Sequence, residues 1–185
     1  MRVIVIVSWC ILLVFGLPLP GAAFNLGQET RPEVGREFPD FTLPDADGRE
    51  VSISDFRGKV IMLSFWSCYT DTCFTSVRII EGLIKDFSSR GLVAPTVCSE
   101  IPPALEKNSY AELIKRCGVG QIILIDAGKE MKGRLHIRKF PTTFLIGRDF
   151  LVRETIKGVP LLMREEFREA VRALVEEEDA PAAAE

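Results

Sequence analysis

The sequence is short of positive charge, of long apolar runs and of cysteine. Its 23 Lys and Arg are outnumbered by 26 Asp and Glu, for a formal net charge of −3, and the two signs are mixed along the chain with no basic concentration. A nucleic-acid partner therefore has no electrostatic support. The uncharged apolar run over residues 3–17 falls short of the ~20 residues that a membrane-spanning helix needs. Five cysteines in 185 residues are too sparse for a disulfide scaffold, because a domain of this size can hold its fold with its core alone. No internal repeat is present.

What is there describes one globular domain with extensions. Hydrophobic residues make up 47% of the chain and charged residues 26%, the balance of a protein with a full core. Arg2, the apolar run and then Pro18-Leu19-Pro20-Gly21-Ala22-Ala23 form a basic start, an apolar centre and a small-residue cut site. That is the pattern of a secretory signal peptide, with a retained anchor as the alternative. Either one exports the rest of the chain to the periplasm or another extracytoplasmic space. Cleavage removes Cys10 and leaves Cys68, Cys73, Cys98 and Cys117, for which three full pairings exist. So few thiols point to one or two used for chemistry. The expected organisation is a signal over 1–23, a linker over 24–36, a domain over 37–178 and a disordered Ala-rich tail over 179–185.

Within the domain, residues 41–43 and 50–53 flank the turn-forming Asp45-Ala46-Asp47-Gly48 and predict a small hairpin. Residues 60–66 form a continuous apolar run, as a strand buried on both faces requires. Val77, Ile80, Leu83, Ile84 and Phe87 recur at helical spacing, and Gly91 ends that element. Further strands are expected over 92–97, 121–125, 143–146 and 151–156, with helices over 110–117 and 165–178. Strands alternating with helices, then a strand pair and a closing helix, predict an α/β sheet covered by helices. In such sheets the reactive site lies at the carboxyl ends of the strands. Two cysteine-bearing positions fall there: the stretch Phe65-Trp66-Ser67-Cys68-Tyr69-Thr70-Asp71-Thr72-Cys73, and Cys98.

Four segments carry a resemblance to the thioredoxin-like superfamily, specifically its redoxin branch of TlpA-like and ResA-like extracytoplasmic thiol–disulfide oxidoreductases. They are residues 34–43, residues 51–60, the pair Phe65-Trp66, and His136-Ile137-Arg138-Lys139-Phe140-Pro141-Thr142-Thr143-Phe144-Leu145-Ile146. The resemblance implies a central mixed β-sheet flanked by helices, an N-terminal hairpin extension and a cis-proline at Pro141. It also implies thiol- or disulfide-bearing exported proteins, or a membrane-anchored reductant, as partners, and neither cofactor nor metal. Against the pattern F-W-x-x-W-C-x-x-C, Tyr69 takes the place of the second Trp, Thr70 that of the first cysteine, and Cys73 that of the second. Cys68 has no counterpart there.

Three functions are compatible with this site. Cys68 and Cys73 can form a displaced redox pair, with Cys73 in a first helical turn that favours a thiolate and Thr70 as N-cap. Alternatively, Thr70-Asp71-Thr72-Cys73 is similar to the T-x-x-C of peroxiredoxins, where the Cys is oxidised by peroxide and a second thiol, Cys98 or Cys68, resolves it. Here, though, Trp66 stands where those proteins carry Pro, and Pro141 where they carry an activating Arg. The third function is a redox-inactive binding module, in which Trp66, Phe140 and Pro141 shape a groove for an extended peptide. Beside these stand plainer roles: Cys98 and Cys117 as small apolar core residues, Thr70 as a helix cap, and His136 as a surface residue rather than a copper ligand with Cys68 and Cys73.

Overall fold

A run of apolar residues with β-branched and aromatic side chains can be buried on both faces only at the centre of a sheet. Residues 60–67 do this as β3 (Val60–Ser67), whose eight residues are all buried. In the computed structural model the described residues are 30–67, 69, 71–100 and 122–177. Before β3 lie the hairpin strands β1 (Thr42–Pro44) and β2 (Glu50–Ser52), paired antiparallel, and a 3-10 turn over Ile53–Phe56. After it come α1 (Asp71–Phe87), β4 (Leu92–Val93), β5 (Thr96–Glu100) and β6 (Ile123–Ile125). A short α2 (Glu130–Arg134), strands β7 (Thr142–Ile146) and β8 (Val152–Lys157), α3 (Val159–Leu162) and α4 (Glu165–Glu176) complete the chain.

The main sheet runs β6-β5-β3-β7-β8, and β4 pairs with the start of β3. Strands β4, β5 and β6 are parallel to their neighbours, whereas β7 and β8 are antiparallel, so the sheet is mixed. Alternation along β3 divides the core. Ile61, Leu63 and Phe65 join Phe38, Phe41 and Phe144 in one cluster, and Val60 and Met62 join Ile80, Leu83, Phe167 and Val171 beneath α1 and α4 in another. This is the thioredoxin-like architecture that the motifs imply.

Three details differ from the sequence expectations. The strand predicted over 92–97 is broken into β4 and β5 at Ala94-Pro95, because a proline has no N–H to give to a ladder. α2 and α3 fall where the sequence predicts no helix, since each is about one turn long and lacks a sustained apolar period. Residues 30–38 are also tied down along β8 and α2: Thr30 N–H bonds to the Arg134 carbonyl, Gly35 N–H to Val152, and Phe38 N–H to Phe150. The signal over 1–23, the helix over 110–117, Cys10, Cys117 and the tail lie outside the described residues.

Candidate active site

β3 leaves the sheet at Ser67, and α1 starts at Asp71. The turn between them is the stretch that carries the sequence motif. Cys73 is the third residue of α1 and is fully buried. The Ser67 N–H donates to its Sγ at 3.5 Å, and the Ser76 hydroxyl donates to its carbonyl at 2.6 Å. Trp66 is buried and meets the Phe74 ring edge-on at 5.7 Å between centroids. Cys98 pairs with Trp66 across the β3–β5 ladder and belongs to the same buried cluster as Trp66, Cys73 and Val77. Tyr69 projects into solvent beside these residues, 61% exposed. Cys68 and Thr70, named by the motif as redox partner and cap, lie outside the described residues.

The Phe140–Pro141 peptide is cis. The Pro141 carbonyl accepts from Gly158 N–H at 2.9 Å, and the Thr142 hydroxyl donates to the Lys139 carbonyl at 2.7 Å, so both sides of the bond are anchored. Phe140 packs against the cluster that contains Cys73 and also against the one that contains Phe65. The structure therefore brings together Trp66, Cys73, Cys98 and Phe140 of the residues singled out from sequence, with Pro141 adjoining. His136 does not join them. It lines a groove wall with Arg138 and Lys139, and among the described residues no group of three or more His, Cys, Asp or Glu is placed to hold a metal.

Sequence reasoning missed a charged group beside this site. Lys132 of α2 donates to Glu100 at the end of β5 at 2.6 Å and lies 5.0 Å from the Phe140 ring centroid, within reach of a cation–π attraction. Glu100 stands opposite Ser67 in the β3–β5 ladder. The Lys132 ammonium holds the Glu100 carboxyl below its ordinary value, against the effect of burial and with help from the Ser67 hydroxyl. Ser67 also accepts from Tyr69 N–H at 3.2 Å through that hydroxyl. One ion pair thus connects the exit of β3 to the proline loop. No local signal could have revealed it, because Glu100 and Lys132 are distant in sequence and meet only through the fold.

Next to this pair, Asp126 is buried after β6. It accepts from Met131 N–H at 3.2 Å, Lys132 N–H at 3.0 Å and the Ser99 hydroxyl at 3.0 Å. Burial raises its carboxyl above the ordinary value, and those donors oppose the rise. Its geometry is that of a carboxylate cap on the first turn of α2, which in turn sets the position of Lys132.

A mixed sheet with a cysteine at the strand-to-helix turn and a cis-proline next to it defines a redoxin of the thioredoxin-like superfamily. Residues 34–155 match the AhpC/TSA family, and the chain belongs to that family. Among curated relatives, the thiol-disulfide oxidoreductase ResA of Geobacillus kaustophilus is 30% identical over 131 residues, covering 71% of this chain and 73% of its own. A candidate thiol:disulfide interchange protein DsbE of Chlorobium tepidum superposes with a TM-score of 0.69 at 21% identity, over 78% of this chain and 99% of its own. The exposed lipoprotein thioredoxin of Streptococcus pneumoniae gives a TM-score of 0.60 at 25% identity, over 74% of this chain and 100% of its own. The chain is an oxidoreductase of the redoxin type.

Proposed function

We propose that the protein is an extracytoplasmic thiol–disulfide oxidoreductase in which Cys73 and Cys68 form the redox pair and Thr70 occupies the place of the usual first cysteine. One observation carries this reading. Cys73 sits in the first turn of α1, in contact with the Ser67 N–H, in a cluster walled by Trp66 and by Phe140 of the proline loop. Its full burial suits a resolving thiol better than an attacking one, which needs access to the partner. In the reducing direction the Cys68 thiolate attacks a partner disulfide, breaking its S–S bond and forming a mixed disulfide. The Cys73 thiolate then attacks Cys68 Sγ, which releases the partner's second thiol and leaves Cys68 and Cys73 oxidised. A reductant of the same thiol class restores the pair. Export is supported by the signal-like pattern over 1–23 and by the lipoprotein relative. Among the described residues no helix is long and apolar enough to cross a membrane.

Thiol titration with mass mapping, before and after reductant and before and after peroxide, tests this. A Cys68–Cys73 bond that reductant opens is expected, together with loss of exchange in Cys68→Ser. Both thiols remaining reduced under oxidising conditions would overturn the reading. A second reading, thiol peroxidase, draws support from the shared burial of Cys73 and Cys98. There peroxide oxidises Cys73 to sulfenic acid and leaves as water or alcohol, and Cys98 then condenses with it, releasing water. A Cys73–Cys98 bond formed by peroxide, with peroxide consumption lost in Cys73→Ser, would favour that chemistry.

A further inference from the structure

On the sheet face that carries Phe65 and Phe144, a groove of about 1030 Å³ runs between residues 31–34 and residues 135–139. Its floor is the cross-strand pairs Phe144–Thr155 and Thr142–Lys157 of β7 and β8. Its apolar surface comes chiefly from the exposed Val34, with the largely buried Phe144, Leu135 and Ile137 behind it. Arg31, Arg138, Lys139 and Lys157 supply four cations along it, against the single acid Glu33. None of those four side chains makes an ion pair or a hydrogen bond among the described residues. Elsewhere Arg49, Arg57, Arg90, Arg153, Arg168 and Arg172 each meet a carboxylate. The mixed charge of the sequence thus conceals a local excess of positive charge on a protein of net charge −3.

The groove also borders the proline loop. Lys139 and Thr142 flank Phe140-Pro141, and Phe140 reaches the cluster of Cys73. The four cations come from three separate parts of the chain and line a groove far larger than a small anion fills. The floor is concave and partly apolar, which does not suit a flat lipid surface. An extended chain with carboxylates and some apolar side chains matches both features, and complementary charge of this kind speeds docking and selects partners.

We propose that this groove docks an extended acidic segment of the protein whose thiol or disulfide meets the active site. The identity of that protein as a redox partner rests on the thiol–disulfide reading, but the docking itself does not. The probe is a dye-labelled, cysteine-free peptide rich in Asp and Glu with interspersed Leu and Val, read by fluorescence anisotropy against the full chain. A peptide with Lys and Arg in place of the acids is the control. The acidic peptide is expected to bind, to weaken with added salt, and to lose on the order of tenfold in affinity when Arg138→Glu and Lys139→Glu are combined. Lys59→Glu with Arg164→Glu makes the same change in net charge away from the groove and is expected to leave binding unchanged. Equal binding of both peptides, equal loss in both double variants, or binding to anionic vesicles without peptide binding would overturn the proposal. Because the probe has no cysteine, failure of Cys73 chemistry and failure of docking are read separately.

Discussion

At the scale of single residues, the site mixes apolar burial with a few polar groups whose partners are specific. Trp66 is fully buried, yet its Nε1 has no hydrogen-bond partner among the described residues. An unpaired buried donor costs about 1–3 kcal/mol, so Trp66→Phe removes that cost while giving up part of the ring's packing. We expect it to change unfolding free energy by about 1 kcal/mol or less, against ~3–5 kcal/mol for Trp66→Ala; urea denaturation of the two variants gives the comparison. Lys132 poses a different case. The carboxyl of Glu100 is held below its ordinary value of 4.5. The pair therefore adds stability that is present above that pH and is lost as pH falls through the folded value. Lys132→Met should then lower stability by about 1 kcal/mol at neutral pH, with the deficit shrinking in acid. A deficit that stays constant down to strongly acidic pH would show that Lys132 acts through packing on Phe140 alone.

At the scale of elements, α2 depends on a buried carboxylate. Asp126 holds two N–H groups of that helix and the Ser99 hydroxyl, and its own carboxyl is raised above 3.8 by burial. The sign is opposite to that of Glu100. The folded state binds the proton more tightly than the unfolded chain, so stability declines as pH rises from 3.8 through the raised folded value. Asp126→Asn cannot ionise and should lack this decline, so its stability relative to wild type improves with pH across that window. Asp126→Ala loses these acceptor contacts and should cost about 1–3 kcal/mol below that window, with the deficit shrinking as pH rises through it, because alanine cannot ionise either. Chemical denaturation at a series of pH values measures both. The sequence showed the long elements well, because β3, α1 and α4 carry sustained periods. The one-turn α2 has none, and its cap is legible only once Asp126 is seen to be buried. Pro95 was in plain view, and it breaks the strand where its missing N–H demands.

At the scale of the whole molecule, the fold was readable because four separated segments matched one family. The candidate site was readable in part. Trp66, Cys73, Phe140 and Pro141 stand where their motif positions place them. The Glu100–Lys132 pair and the cationic groove are assembled from distant positions, which no local pattern reports. The start of the domain was harder to place, since residues 30–36 are polar with Gly and Pro and so resemble a linker. In the fold they lie along β8, and Phe38 behind them is buried with its ring against Phe41, Phe144 and Phe150. The contact joins the N-terminal hairpin, β7 and the turn before β8 in one aromatic cluster, so its loss should be felt across the fold rather than at the terminus. A chain that begins at Thr30 should match the full chain in stability, whereas Phe38→Ala in the full chain should cost about 3–5 kcal/mol. If Phe38→Ala is as stable as wild type, residues 30–38 are an accessory strap and the independent unit begins at the hairpin. If the chain from Thr30 is itself destabilised, the unit begins earlier still.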